Sequence, residues 1–537
     1  MTLAPADRVL VSIGALFALF VAGVAPSVDW LDSGSLLASA FRLGVAHPPG
    51  EPGWLAPARI AQLLPIGDLA FRVNVLCVLF LAAVAWPLVV LTRAAIGHPA
   101  WRPEVFVVGV GLLGYGARMQ GNRAEVYGLV ALLLLGALAA VVADGGRRSS
   151  ALLGLLLGLA ATVHPLLAAA ATPALLLARW MRGGVTLADA GHAVGWGLVG
   201  FAAYGWLPVR ALARPADAWG VPSTISRFLD VLLARNFARN FGGESAGFFA
   251  NLGVVLERHM LSGLGVLLVL TLCAWLLRDG KGTTALRSLA WSLPVWLVGN
   301  ALTILPQNKA FGSNPDVLGY LLVGVLAAAP LGAHGLHVLA TRRRGSSLER
   351  LGPLLLVVAW FVVAFEAFDG LSASRTRNEL ARQYSTALAA GTPAGSVLVA
   401  SGNDTAFTWM YLQGVEYRRP DLIVVPRVLL GHAHQRIRLE ERLRDVGIAW
   451  SPRLRDRPVP ELRRATRPAF VEMRSPEENL ALPPHGLVVA VRDPGPEPAS
   501  LRALRVRTIE ALEGDLAHGD PQAALVAAYF RTFWGPL

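Results

Sequence analysis

The chain has 537 residues, of which 54% are hydrophobic and only 16% are charged. Soluble domains carry about a quarter charged residues, so this composition excludes an ordinary soluble enzyme and indicates a protein of the lipid bilayer. The formal net charge is +12, but the arginines lie mainly in short loops and in the tail. That distribution favours a role in membrane topology and lipid contact over nucleic-acid binding. Cys77 and Cys273 both fall inside apolar segments, so neither a disulfide framework nor a thiolate metal site is expected.

Apolar segments of roughly twenty residues, the length that crosses the hydrocarbon core, predict about eleven membrane-spanning helices. His164-Pro165 divides the stretch 150–179 into two of them, because proline interrupts a helix. The first segment is expected to be a retained helix and not a cleaved signal peptide. The predicted spans are 9–26, 74–92, 104–117, 126–143, 150–163, 165–179, 190–210, 255–277, 287–305, 316–341 and 351–368.

Basic residues occupy every second connection between these spans, and those connections are short. The positive-inside rule therefore places them in the cytoplasm. The first loop (27–73) and the tail (369–537) then lie on the periplasmic side of the inner membrane. The basic loop residues are Arg93, Arg102, Arg147, Arg148, Arg179, Arg182, Arg278, Lys281, Arg287, Arg342, Arg343, Arg344 and Arg350.

The tail differs in character from the membrane module (1–368). Short Val/Leu runs alternate with helical stretches, which predicts a small α/β domain. The sequence SGND at 401–404 is expected to be a capped strand-to-helix turn, with anion binding at the helix start as the alternative. Strands are predicted at 396–400, 421–426, 469–473 and 486–492, and helices at 404–415, 432–446 and 499–513.

The first loop contains two amphipathic stretches joined by the turn His47-Pro48-Pro49-Gly50. Ser35, Ser39 and Arg42 share one face of the first stretch, which is typical of a helix lying along the membrane surface. A second short stretch, 54–64, carries Leu55, Ile60, Leu63 and Leu64 and is also expected in the interface. By pattern alone, Asp32 is either the N-cap of the first helix or a reactive group, and the turn is either a rigid connection or part of a site.

The segment DSGSLLASAFRLGVAHPPGEPGW (32–54) resembles the D-S-G-E…H-P-P-G-Y-P signature of GT-C-fold polytopic glycosyltransferases. That family comprises the O-mannosyltransferases of plexin-type IPT domains and their bacterial relatives. Two positions depart from the signature, because Ser35 replaces its Glu and Glu51 replaces its Tyr. Weaker resemblances follow in order at 72–80, 122–129, 158–165, 217–233 and 401–425.

The resemblance implies a GT-C-like fold and transfer of a monosaccharide, mannose by analogy, from a polyprenyl-phosphate donor. The acceptor would be a hydroxyl group of a secreted protein or an envelope glycan at the outer face. The implied partners are the lipid-linked sugar, its acceptor and membrane lipids, with no nucleic acid. The tail, on the same side, is expected to help recognise the acceptor.

Such a transfer needs a base for the acceptor's proton. Asp32 aligns with the family Asp and is the first candidate, and Asp29 is the alternative in the same loop. Glu125 is a candidate second acid that orients the acceptor or holds a cation, or else a helix-end residue favoured by the dipole. Ser35 occupies the position of the family Glu. Because that carboxylate is absent here, the sequence does not fix the exact reaction.

The leaving phosphate gains negative charge and calls for cations. His47 is expected to orient the loop or to hydrogen-bond the donor phosphate, and His164 is expected on the same side. A divalent metal between these two histidines is conceivable, but their spacing fits no metal motif, so no cofactor is expected. The outer-side cations are Arg118, Arg123, Lys309, Arg235 and Arg239.

Two other classes of function remain open. A transporter or flippase for a lipid-linked sugar would also have interrupted apolar segments. A non-catalytic envelope assembly factor on the same fold would tolerate Ser35. Against the transporter, the sequence has no inverted repeat and its charged residues cluster in outer loops.

Overall fold

The computed structural model describes most of the chain, and the statements below concern those residues. Lys309, Arg239, most of the span predicted at 255–277 and most of the helix predicted at 432–446 lie outside them. The described residues are 5–97, 99, 101–213, 219–235, 248–249, 251–253, 265, 268–272, 283–305, 316–341, 351–431, 439–440, 442–473, 482–514 and 520–534.

The described chain is helical up to residue 369. Its first helices are α1 (Pro5–Val21), α2 (Ser33–Arg42), α3 (Pro52–Gln62), α4 (Leu69–Ala83), α5 (Ala85–Ile96), α6 (Pro103–Leu112), α7 (Tyr115–Gly121) and α8 (Tyr127–Ala143). The later ones are α9 (Arg147–Val163), α10 (Pro165–Met181), α11 (Leu187–Phe201), α12 (Trp206–Leu212), α13 (Ile225–Leu232), α14 (Thr284–Ile304), α15 (Asp316–Thr341) and α16 (Leu351–Asp369).

Within the described residues, three helices are long and apolar enough to cross a membrane. They are Leu69–Ile96, Leu318–Thr341 and Pro353–Ala373. Four shorter apolar helices accompany them, at Leu10–Val21, Pro103–Leu112, Tyr127–Ala143 and Pro165–Met181. The molecule is therefore a membrane protein by its helices, and the number of eleven spans stays a prediction.

Two helix boundaries bear on the predicted spans. The break at His164 is confirmed: α9 ends at Val163, α10 begins at Pro165, and His164 Nδ1 accepts a hydrogen bond from the Leu167 amide at 3.3 Å. The prediction of one continuous span at 104–117 is wrong, because α6 ends at Leu112 and α7 starts three residues later.

The cause of that second break is a close contact with α16. A β-carbon on Gly114, which lies between α6 and α7, would stand 1.9 Å from Glu366 Oε2. The buried Glu366 side chain thus occupies the space that a continuing helix with side chains would need. The span predicted at 190–210 is likewise interrupted, since α11 ends at Phe201 and a 3-10 turn precedes α12.

Several basic connections meet at one end of the helical region. Arg182 donates to the Ala143 carbonyl at 3.5 Å, which joins the α8–α9 and α10–α11 connections. Trp101 donates to His337 Nδ1 at 3.2 Å, which joins the α5–α6 connection to the end of α15. The α8–α9 connection therefore lies beside the α10–α11 connection, and the α5–α6 connection lies beside the end of α15.

The first loop and the start of the tail meet at the opposite end. The Ala25 amide donates to the Asn122 carbonyl at 2.9 Å, and Asn122 donates in turn to the Ala373 carbonyl at 2.8 Å. Asn74 donates to the Ala25 carbonyl at 2.9 Å. The acidic first loop and the tail therefore share one end of the molecule, away from the basic connections.

The tail is an α/β unit with a mixed sheet. Its strands are β1 (Val397–Ala400), β2 (Ile423–Pro426), β3 (Ala469–Glu472), β4 (Pro484–His485) and β5 (Val488–Ala490). The described strands lie in the order β2-β1-β3-β5-β4, with β1 parallel to β2 and β3, and β5 antiparallel to β3 and β4. Its helices are α17 (Leu380–Ala390), α18 (Asn403–Gly414), α19 (Arg453–Asp456), α20 (Pro458–Leu462), α21 (Ala499–Glu513) and α22 (Pro521–Trp534).

Each of the four predicted strand segments contains a strand, as expected for short Val/Leu runs that are flanked by turns. The SGND turn begins α18 as expected, but the expected cap is wrong, because Gly402 is the N-cap residue and no side chain caps the helix. An internal carboxylate fills the turn. Glu472 accepts the Ser401 amide at 2.6 Å and the Thr405 hydroxyl at 3.0 Å. An anion would meet that negative charge, so the alternative of anion binding at this turn is not supported.

The first helix of the opening loop is buried, which corrects the expectation that it lies along the membrane surface. Eight of its ten residues, Ser33 to Ala40, are buried. The tail covers α2: α18 packs on it, and Arg42 donates to the Gly414 carbonyl at 3.1 Å. The small Ser and Ala side chains of α2 suit a helix packed closely between two layers better than one at a lipid surface.

The second helix of the loop does carry an exposed apolar edge. Ile60 is 67% exposed and Leu63 is 66% exposed, and Leu64 follows them. Leu55, expected at the same surface, is instead buried. The end of α3 is thus the part of the first loop whose apolar side chains face outward.

Candidate active site

Asp32 is at the start of α2, but its side chain does not cap the helix. The residue occupies the N-cap position with helical backbone angles (φ −68°, ψ −15°) and makes no side-chain capping bond. Its Oδ2 atom instead lies 3.5 Å from Nε2 of His47, and the side chain is 37% exposed. The structure thus leaves a partly exposed carboxylate beside an imidazole.

The turn after α2 brings a second carboxyl group to the same imidazole. The Gly50 amide donates to the His47 carbonyl at 2.8 Å, and Gly50 has φ 92°. Glu51 follows with φ 47°, a left-handed conformation that is uncommon for a residue with a side chain. This conformation, together with Pro52 at the first position of α3, points the Glu51 side chain back so that Oε1 lies 3.5 Å from His47 Nε2.

Two aromatic rings hold the imidazole of His47. The Phe407 ring stacks on it with centroids 6.4 Å apart and planes at 17°, and Trp219 meets its edge at 6.3 Å. The Trp219 amide donates to the Val45 carbonyl at 3.0 Å, which ties its segment to the first loop. The rings leave the imidazole little freedom to rotate.

The Glu51 carboxyl group is buried, with only 4% of its side chain exposed. Its Oε2 atom has no hydrogen-bond partner among the residues that the structure describes. Burial is the main cause that raises the pKa of Glu51 to about 7; His47 lowers this pKa, and the negative charge of Asp32 adds a smaller rise. The site therefore holds two carboxyl groups in unlike environments, one partly exposed and one buried.

Glu125 lies just before α8 and forms a buried ion pair. Its Oε1 atom is 3.1 Å from Nη2 of Arg123, and both side chains are at most 3% exposed. The Glu125 carbonyl accepts hydrogen bonds from Trp54 Nε1 at 3.0 Å and from Cys77 Sγ at 3.4 Å. Glu125 thus positions the Arg123 guanidinium and links α3, α4 and α8.

Asp29, the alternative base, belongs to a buried network with the tail. Its Oδ1 accepts the Trp30 amide at 2.8 Å, and its Oδ2 lies 3.7 Å from Arg375 Nε. Arg375 Nη1 is 2.9 Å from Asp520 Oδ2, which also accepts from Trp30 Nε1 at 3.2 Å and from Asn378 at 2.7 Å. Burial raises the pKa of Asp29, and Arg375 opposes that rise. These contacts give Asp29 the surroundings of a structural residue.

The remaining predicted residues have contacts with other partners than the imidazole. Arg118 is buried with its guanidinium 5.7 Å from the Phe20 ring centroid. His164 lies between the rings of Tyr127 and Tyr320, with centroids 5.8 Å and 5.2 Å away. Arg235 is exposed and pairs with Asp230 at 2.9 Å.

Ser35 is fully buried, and its hydroxyl oxygen has no hydrogen-bond partner among the described residues. Within the same residues, no group of three or more His, Cys, Asp or Glu side chains is placed to hold a metal ion. Lys309 lies outside the described residues. The structure thus brings Asp32 and His47 together with Glu51, and Glu125 together with Arg123.

Sequence reasoning did not assign four residues that shape the site. Trp219 and Phe407 lie in the segments 217–233 and 401–425 that carry weaker family resemblances, so those segments held the signal. The sequence around Arg375 and Asp520 does not mark them as site residues, because their roles come from contacts with residues far away in the chain.

Solved structures with the same arrangement of helices identify the fold. ArnT from Cupriavidus metallidurans superposes with a TM-score of 0.59 in its apo state and 0.55 when bound to undecaprenyl phosphate. Each alignment covers 92% of this chain and 100% of the ArnT chain at 12% sequence identity. The chain is a GT-C-like membrane protein.

The part of this GT-C-like protein that holds the first loop also matches a family. Residues 32–185 match the Protein O-mannosyl-transferase TMEM260 N-terminal domain. Protein O-mannosyl-transferase TMEM260 of Mus musculus is 44% identical over 78 residues, or 14% of this chain. The matched part spans only 11% of the length of that relative. The family match contains Asp32, Ser35, His47, Glu51, Arg118, Arg123, Glu125 and His164.

Proposed function

We propose that this protein is a membrane glycosyltransferase that moves a monosaccharide, mannose, from a polyprenyl phosphate to a hydroxyl group of a secreted protein or an envelope glycan. The GT-C-like fold and the family match over residues 32–185 support this class of reaction. The observation that carries the proposal is the Asp32 carboxylate, which is 37% exposed and lies 3.5 Å from the imidazole of His47, itself 12% exposed.

Asp32 acts as the general base. The acceptor oxygen attacks the anomeric carbon of the sugar as Asp32 takes the hydroxyl proton, so that a new glycosidic bond forms. The bond between the anomeric carbon and the phosphate oxygen breaks, and the electron pair leaves with polyprenyl phosphate. The partial exposure of the Asp32 side chain leaves the carboxylate open to the acceptor.

Negative charge grows on the phosphate during this step, and a fixed cation stabilises it. Arg123 is the best-placed candidate, because its ion pair with Glu125 holds the guanidinium in one orientation at the end of the molecule that bears the first loop. Arg118 and Lys309 are further candidates. Glu125 then serves as the residue that positions the cation, and Asp29 as a residue that fixes the loop.

The donor lipid brings its phosphate to the headgroup level while its chain stays in the bilayer. The first loop and the start of the tail meet near Asn122 and Asn74, and the membrane-length helix Leu69–Ile96 leads from there to the basic end that carries Arg93. By the positive-inside rule the basic end is cytoplasmic. The site and tail therefore face the periplasm, where the tail contributes to recognition of the acceptor.

The test is transfer by the purified protein in lipid nanodiscs. We expect labelled mannose to pass from polyprenyl-phosphate mannose to envelope extract, and Asp32→Asn to slow this by roughly 100-fold or more. Asp230→Asn, at an exposed carboxylate, is the control. Flipping of the labelled lipid across vesicles without transfer would support a transporter, and full transfer by Asp32→Asn would refute its role as base. Mass spectrometry of envelope material with and without the gene identifies the acceptor.

A further inference from the structure

Two carboxyl groups share a single ring nitrogen in this site. Asp32 Oδ2 and Glu51 Oε1 each lie 3.5 Å from Nε2 of His47. An imidazole nitrogen carries at most one proton and can direct it to one strong acceptor at a time. The two carboxyl groups therefore compete for the same N–H donor.

The two competitors are unequally exposed to water. The Asp32 side chain is 37% exposed, so water can satisfy its remaining lone pairs, whereas the Glu51 side chain is 4% exposed. The fold also holds Glu51 in place by a left-handed backbone at φ 47°. A non-glycine residue in that conformation costs free energy and is retained where the surroundings require it.

The elements packed around Glu51 add few charges. From its own loop, Asp32 and His47 face it, and from the turn before α12 the Tyr204 phenol lies within electrostatic range. The Tyr204 hydroxyl donates to the Ala161 carbonyl at 3.2 Å. His164 is near enough to His47 for their charges to interact. Besides burial, the ionisation of Glu51 thus depends on His47 and Asp32.

We propose that Glu51 is a positioning residue that controls, through His47, how basic Asp32 is. When Glu51 is ionised, it attracts the Nε2–H of His47 and repels the negative charge of Asp32, so that Asp32 becomes a stronger base. When Glu51 is protonated, the N–H turns to Asp32 and weakens it. The transfer rate then rises with pH as Glu51 loses its proton.

This inference rests on the proposed function for its effect on rate, but the coupling itself has a separate readout. Infrared difference spectra between the wild type and Glu51→Gln report the protonated carboxyl band of Glu51 in the detergent-purified protein. We expect that band to titrate near pH 7. Asp32→Asn should move the midpoint to lower pH by removing a negative neighbour, and His47→Asn should move it to higher pH. A midpoint that neither variant shifts would overturn the coupling.

The rate is measured over the same pH range with polyprenyl-phosphate mannose as the probe. We expect the wild-type rate to rise about threefold or more through the titration of Glu51, following a Brønsted dependence on the strength of the base. Glu51→Gln should stay at the low-pH rate, and Glu51→Asp should restore the rise. A Glu51→Gln profile identical to the wild type would overturn the inference. Absence of transfer by every form, with the infrared shifts present, would refute the proposed function and leave the coupling standing.

Discussion

The backbone of Gly34 in α2 lies against the carbonyl group of Phe407 in α18. A β-carbon built on Gly34 would stand 2.2 Å from the Phe407 oxygen. The ring of the same phenylalanine stacks on His47. The position of the imidazole beside Asp32 therefore depends on how closely the tail approaches the first loop.

Replacing Gly34 by alanine should separate the two helices. We expect a lower melting temperature, a loss of roughly 1–3 kcal/mol of stability from overpacking, and reduced transfer because the Phe407 ring moves away from His47. Gly195→Ala is the matched control, since Gly195 is also in a helix and a β-carbon there meets nothing within 4 Å. Thermal unfolding and transfer assays check this, and equal behaviour of the two variants would contradict the close approach.

The Arg375 guanidinium should be essential for folding of the first loop. Replacing it by alanine leaves the buried Asp29 and Asp520 carboxylates without their cation. Breaking a buried ion pair in this way costs about 3–5 kcal/mol. Arg235→Ala removes an exposed pair instead and should change stability little. The melting temperatures of both variants test this prediction, and a small effect of Arg375→Ala would show that the network does not stabilise the folded protein.

Glu51 should make the protein less stable as the pH rises. Burial raises the pKa of Glu51 to about 7 from an ordinary value of 4.5, so between these values the folded state binds more protons than the unfolded state. Stability then falls with increasing pH in this window. Glu51→Gln removes the penalty and should stabilise the protein by on the order of 3 kcal/mol at pH 8 but little at pH 4. Melting curves at both pH values test the sign, and a Gln variant that gains nothing at pH 8 would refute it.

The end of α3 should lie in the membrane interface. The side chains of Ile60, Leu63 and Leu64 are exposed, and contact of so much apolar surface with water would be unfavourable in free energy. A fluorescent probe on Ile60→Cys should be quenched by bilayer-depth quenchers in nanodiscs, whereas a probe on Tyr417→Cys, which is 68% exposed in the tail, should not. Equal quenching at both sites would contradict this placement. The native cysteines Cys77 and Cys273 are replaced in both variants.

Local pattern was enough to predict parts of this architecture. The His164-Pro165 break, the four main strand segments and the two helices of the first loop follow from proline chemistry and from hydrophobic periodicity. The burial of α2 did not follow, because its cover is a helix nearly 400 residues later. The interruption at Gly114 is of the same kind, since its cause is the Glu366 side chain of another helix.

The site was predictable to a similar extent. Asp32 and His47 are close in sequence and lie in one loop as expected, and Glu51, which departs from the family signature, lies in the same loop. The aromatic contacts of His47 come from residues 219 and 407, the ion-pair partner of Asp29 is Arg375, and the hydrogen-bond acceptor of Trp30 is Asp520. No property of the first sixty residues identifies those partners, because only the folded chain brings them together.

The hydrogen bond between Trp30 and Asp520 joins positions that are 490 residues apart. At a synthesis rate of roughly 5–20 residues per second, the first loop leaves the ribosome on the order of a minute before its last partner exists. The indole of Trp30 must therefore wait for its acceptor while the helices between them are synthesised. Closure of the buried network of Trp30, Arg375 and Asp520 is thus expected late in the folding of the chain.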